Sequence, residues 1–192
     1  MMKRWLPVIE VDPENSVNEG RRKRLMYVTQ EDFYFLTYNW LLTLEALGCV
    51  SEKKEFRDVR KLAFLVDFVS DRHLTVAVAD SATGAKISAT DRKLLANAYS
   101  RARDRLPQLN RVLFAAERRG LIALFPNEKD RVVNTYLKLD SLPPGFLQSD
   151  LFTSERRNLE ILGLHQRRLR TGSLNIFLEN IFRQNGVVTW LD

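Results

Sequence analysis

Cysteine is nearly missing from this chain. Cys49 stands alone among 192 residues, which excludes a disulfide framework and any zinc cluster built on thiolates. Histidine is almost as scarce: His73 and His165 lie far apart in sequence, so no histidine-rich metal site is expected. Long apolar runs are missing too. The longest, Trp40–Leu44 and Leu62–Val66, fall well short of the roughly 20 residues that cross a bilayer. The start, Met1-Met2-Lys3-Arg4-Trp5-Leu6-Pro7, is charged but has no apolar stretch behind it, unlike a secretory signal. These absences lead to the expectation of a soluble, cytoplasmic protein with no membrane partner. Internal repeats and low-complexity tracts are also lacking.

What is there is apolar material and positive charge. Apolar residues make up 45% and charged residues 28%, enough for a packed core and too much for a wholly disordered chain. Lys and Arg number 30 against 24 Asp and Glu, a net charge of +6. That excess hints at nucleic acid or an acidic protein as partner.

Residues 1–28 read as an irregular basic arm, with a short strand at Val8–Val11 and the run Arg21-Arg22-Lys23-Arg24. The run fits either a solvated linker or a phosphate-contacting arm. A helix follows, capped by Thr29, with Phe33, Leu36, Trp40, Leu44 and Leu47 on one face and Gly48 as its stop. Cys49 reads as packed. A second helix is expected over Glu55–Asp71, apolar over more than half its surface and therefore central. Arg57, Arg60 and Lys61 would form its polar face, with Asp67 as an ion-pair partner. Leu74–Ala79 is rich in β-branched residues and reads as a strand. Thr90 opens a helix to about Leu106. Pro107 either ends it or starts the next helix, Gln108–Arg119. Gly120 turns the chain into strands Leu121–Phe125 and Arg131–Leu139, joined by a polar turn. After the break Leu142-Pro143-Pro144-Gly145, helices are expected over Glu155–Leu169 and Leu174–Phe182, with an edge strand over Val187–Leu191. The domain reading is an arm (1–28), a helical domain (29–140) and a C-terminal helical extension (141–192).

Helix, turn, helix, glycine and hairpin is the winged-helix order. The fold class is therefore mainly α with a small β-hairpin, winged-helix-like, with helical extensions at both ends. The segment 91–119 carries eight cations against three acids. In a DNA reader, Gln108, Asn110, Arg111, Arg118 and Arg119 would face the duplex, with Lys129 and Arg131 of the wing on phosphate. The same face suits docking on a protein, a reading that stays open beside it. Phe114, Phe177, Phe182 and Trp190 are candidate partner-interface anchors.

Catalytic patterns are thin. Glu52-x-Lys54 matches half of a nuclease motif without the further carboxylates a metal needs. His73 is expected at a helix C-terminus and His165 on the surface. No serine has a Gly-x-Ser-x-Gly setting, and Gly84-Ala85-Lys86 lacks the earlier glycine of a phosphate loop. No catalytic residue, metal site or cofactor is expected, and the chain does not read as an enzyme.

Two segments carry a family resemblance. Phe56-Arg57-Asp58-Val59-Arg60-Lys61-Leu62-Ala63-Phe64-Leu65-Val66-Asp67-Phe68, followed by Leu109-Asn110-Arg111-Val112-Leu113-Phe114-Ala115-Ala116-Glu117-Arg118-Arg119-Gly120-Leu121-Ile122, resemble the middle component of ABC-three-component systems. These include the Lamassu-type anti-phage and anti-plasmid defence systems of bacteria. The resemblance covers roughly residues 29–140. It implies a non-enzymatic adaptor that docks on an SMC-like ATPase and holds an effector, often a nuclease, inactive until foreign DNA is engaged. The competing reading is a winged-helix transcription regulator, dimerising through Leu174–Phe182 and binding double-stranded DNA.

Overall fold

The computed structural model describes residues 33–166 and 168–190. The basic arm, its strand at Val8–Val11, the Thr29 cap and Leu191 of the tail lie outside the described residues. The described chain is mainly helical with one antiparallel hairpin, in a winged-helix-like order.

Helix α1 (Phe33–Ala46) buries Leu36, Trp40, Leu41 and Leu44, the three-and-four spacing of a packed helix face. Two of its hydroxyls satisfy themselves locally: Thr37 Oγ1 donates to the Phe33 carbonyl and Thr43 Oγ1 to that of Asn39, each at 2.7 Å. The stop at Gly48 holds, with Cys49 N–H returning to the Leu44 carbonyl at 2.7 Å. Cys49 itself is fully buried.

Helix α2 (Arg60–Ser70) is shorter than the expected Glu55–Asp71. The reason lies upstream. Phe56 exchanges both backbone hydrogen bonds with Thr135, at 2.7 and 3.0 Å, so it serves as a one-residue third strand on the hairpin. Asp58 then takes a left-handed φ of 62°, which a continuous helix does not permit. Past that point α2 is buried from Lys61 to Val69.

Leu74–Ala79 forms no strand. It lies in helix α3 (Arg72–Ala82). The Asp71 carboxylate accepts from the N–H of His73 (2.8 Å) and of Leu74 (3.3 Å), an N-cap that sequence inspection had passed over. Leu74 and Val78 point inward at helical spacing, and that burial overrides the β preference of Thr75, Val76 and Val78.

The expected corner at Pro107 is also absent. Helix α4 runs unbroken over 30 residues, Ala89–Arg118, about 45 Å. Ser88 caps it, accepting from Asp91 N–H at 3.0 Å and donating to its carboxylate at 2.7 Å. Pro107 faces solvent, while Ala102, Leu109, Val112, Leu113 and Ala116 continue one buried stripe past it. Packing on both sides of the proline holds the axis through the lost hydrogen bond.

Gly120, at φ 74°, reverses the chain into β1 (Ile122–Asn127), which pairs with β2 (Val132–Leu137) from Ile122↔Leu137 to Asn127↔Val132. Helix α5 (Thr153–His165) and α6 (Leu174–Leu178) follow, the latter running into a π turn, Glu179–Arg183. Asn158 of α5 donates to the Val69 carbonyl of α2 at 2.9 Å. Phe177 and Phe182 meet the Phe64 ring at 6.1 and 6.0 Å between centroids, and Phe182 also meets Tyr99 at 5.4 Å. The stretch after Leu142 thus closes one core with α1–α4. Residues 187–190 form no strand; the Tyr99 hydroxyl bonds to both backbone groups of Trp190.

Candidate functional site

The outer face of α4 is set by helical spacing. Lys93, Asn97, Ser100, Asp104, Pro107, Arg111, Phe114 and Arg118 recur every three or four residues, and all are exposed. Arg111, Phe114 and Arg118 therefore stand one above another at the end of α4 that leads into the hairpin. Asn110 is exposed beside them, whereas Gln108 is half-buried. Phe114 keeps 58% of its surface in solvent. Glu117, the acid next to them in sequence, is occupied: its carboxylate accepts from the Leu124 N–H of β1 at 2.9 Å. Arg111 and Arg118 make no ion pair or hydrogen bond among the described residues.

Other cations of the segment have partners within the fold, although Arg119 is itself exposed. Arg105 is buried and grips Asp67 of α2 with two nitrogens, at 2.6 and 3.0 Å, while Arg101 reaches the same carboxylate at 3.0 Å. Asp67 is an ion-pair partner as expected, but across helices rather than within α2. Arg103 lies 5.6 Å over the Trp190 ring and Arg119 lies 5.2 Å over Phe33. Of eight cations, four are committed in this way. Arg92 and Lys93 remain at one end of α4, Arg111 and Arg118 at the other.

Lys129 and Arg131 are exposed at the hairpin turn, where Arg131 takes φ 53°. Asn127 shapes the turn, donating to Asp130 at 2.9 Å and accepting its N–H at 3.3 Å. Arg57 reaches the same Asp130 at 2.8 Å, tying the turn to the segment ahead of α2.

Two candidate anchors fail. Phe177 is 4% exposed and Phe182 0%; the aromatic packing against Phe64 draws both into the core, so neither presents a ring to a partner. Trp190 is 52% exposed, with Tyr99 packed edge-on at 5.7 Å.

Lys61 is the residue that sequence inspection misplaced. It is fully buried rather than on a polar face. Its ammonium donates to the carbonyls of Leu169 (2.7 Å), Gly172 (2.7 Å) and Arg170 (3.3 Å) and lies 4.4 Å over the Phe56 ring. Burial pushes its pKa down to about 7, against a smaller upward pull from Asp58. The signal was present in the spacing Lys61, Leu65, Phe68, which is that of a buried face. Burial likewise pushes the Cys49 thiol up to about 12, so it is a packed group and a poor nucleophile at neutral pH.

His73 sits at the start of α3, not at a helix C-terminus, and contacts Asp91 at 2.7 Å. Hydrogen bonds from Ser88 and His73 hold the Asp91 carboxyl below the usual range. His165 is exposed, and Glu52–Lys54 is an exposed single turn. Among the described residues no three His, Cys, Asp or Glu side chains gather as metal ligands, and no helix is long and apolar enough to cross a membrane. No family model, no curated protein and no solved structure matches the chain.

Proposed function

We propose that the chain is a non-enzymatic adaptor that docks on a partner protein through the end of α4 and the hairpin. The partner is an SMC-like ATPase of a bacterial, cytoplasmic defence complex, which the adaptor links to an effector. The observation that carries docking is Phe114, exposed at 58% between two uncommitted arginines on a rigid helix. An aromatic ring among arginines is the composition of interface hot spots. A phosphate backbone has little to offer a phenylalanine at the centre of the face. The ATPase as partner is supported by the resemblance of segments 56–68 and 109–122 to the middle component of Lamassu-type systems.

The test is affinity capture of the tagged chain from its native cells, with mass spectrometry after a moderate-salt wash. The expected result is an SMC-like ATPase in near-stoichiometric amount. Phe114→Ala is expected to weaken that association by about 2 kcal/mol, roughly thirtyfold, with the fold intact. Recovery of the chain alone, or as a homodimer carrying DNA, overturns the adaptor reading.

The second reading, a winged-helix regulator on double-stranded DNA, is favoured by exposed Asn110 and Arg111 on α4 and exposed Lys129 and Arg131 at the hairpin turn. It requires affinity to fall by roughly 0.9 log units per log unit of salt for each phosphate neutralised. A flat salt response removes DNA from these residues.

A further inference from the structure

We infer that the groove between the first half of α4 and the 186–190 tail is a second docking site, for a partner peptide that sets carboxylates beside an apolar side chain. The cavity holds about 450 Å³. Ala96, Val187, Val188 and Trp190 wall it, and Arg92 and Lys93 stand at its edge. Neither cation makes an ion pair or hydrogen bond among the described residues. Both lie in the first turns of α4, the end of a helix where positive charge is disfavoured, so α4 gains nothing from them there. Apolar walls with unpaired positive charge at the edge are complementary to an acidic, apolar segment.

The groove is built rather than incidental. The Tyr99 hydroxyl holds Trp190 through its carbonyl and, at 2.9 Å, its N–H. Arg103 lies over the Trp190 ring. Gly186, at φ 76°, has no side chain to displace Arg92, whose Nε would stand 3.0 Å from a Cβ placed there, so the Arg92 side chain packs directly against the tail at this position. The N–H groups of Val188 and Thr189 make no hydrogen bond among the described residues, which leaves the tail main-chain donors for an incoming segment.

Arg92 and Phe114 are 22 positions apart on one helix, about 33 Å. The two surfaces can therefore be filled at once, which suits a subunit that links two proteins. The groove itself stands on its own geometry and does not depend on the ATPase reading.

Fluorescence anisotropy on the full chain tests it. The probe is a fluorescein-labelled octapeptide of alternating Glu and Leu. The comparison peptides alternate Glu with Ser and Lys with Leu, and a short DNA duplex is the competitor. Saturable binding of the Glu–Leu peptide alone is expected. It should weaken about tenfold or more in Arg92→Glu/Lys93→Glu and in Val188→Glu, and hold within about twofold in Arg118→Glu and Phe114→Ala. All five substituted residues are exposed, so the fold is retained. The inference is overturned by absence of saturable binding, by equal binding of the Glu–Ser peptide, by equal loss in Arg118→Glu, or by DNA that displaces the peptide. Failure here leaves the Phe114 surface untouched, and failure of the ATPase capture leaves this result standing.

Discussion

Lys61 shows what a single buried charge can do for a fold of this size. Its three carbonyl partners all come from the connection between α5 and α6, so one side chain pins the return of the C-terminal segment onto α2. A buried ammonium is costly, and the three carbonyl acceptors offset only part of that cost. Burial sets its pKa near 7 in the fold against 10.5 for the free group. Above pH 7 the unfolded chain therefore binds more protons than the folded one, and stability rises with pH from about 7. Cys49 acts with the opposite sign. Its thiol stays protonated to about 12 in the fold against 9.0 unfolded, so its contribution is present below 9 and declines above it. Urea unfolding at pH 7, 8, 9 and 10 should show stability climbing by on the order of 1–2 kcal/mol up to pH 9, with the slope flattening beyond it. In Lys61→Met the climb between 7 and 9 should vanish. A wild-type curve that falls across that interval would refute the burial argument.

At the scale of elements, the misreadings share one cause. Tertiary burial overrides local preference wherever the two conflict. The run Thr75-Val76-Ala77-Val78 has strand-like composition, yet Asp71 caps a helix just ahead of it and the core buries Leu74 and Val78. Pro107 carries a break signal, yet the stripe from Ala102 through Leu109 to Ala116 is buried on both sides of it. Phe177 and Phe182 look the same in sequence as Phe114, and only the rings of Phe64 and Tyr99 tell them apart. The strong local signals were legible: Gly48 and Gly120 as stops, the hairpin with its polar turn, α1 by its spacing, and the exposure of Arg111 and Arg118. The one-residue strand at Phe56 was not, because pairing with Thr135 has no local signature. Pro107 is exposed and costs α4 a hydrogen bond, so Pro107→Ala should stabilise the chain by about 1–3 kcal/mol. Thermal unfolding would read this as a rise in Tm. A fall in Tm would mean that the helices on either side are separate units after all.

For the whole molecule, the division between a domain and a C-terminal extension is one of sequence rather than of packing. Leu159, Leu162, Phe177, Ile181 and Phe182 sit in the same cluster as Leu42, Phe64 and Tyr99. Lys61 and Asn158 bridge the two stretches by hydrogen bonds. A chain whose parts share one core unfolds as one unit. Phe182→Ala, which opens a cavity between α2 and α4, should cost about 3–5 kcal/mol and lower every unfolding signal together. Phe114→Ala, on the surface, should stay within about 0.5 kcal/mol of the parent. The contrast is best read by hydrogen exchange. With Phe182→Ala, the amides of α1, α2 and the inner face of α4 should lose protection alongside those of α6, because global opening governs all of them. Loss confined to residues 141–190 would instead show that the first 140 residues stand without the rest.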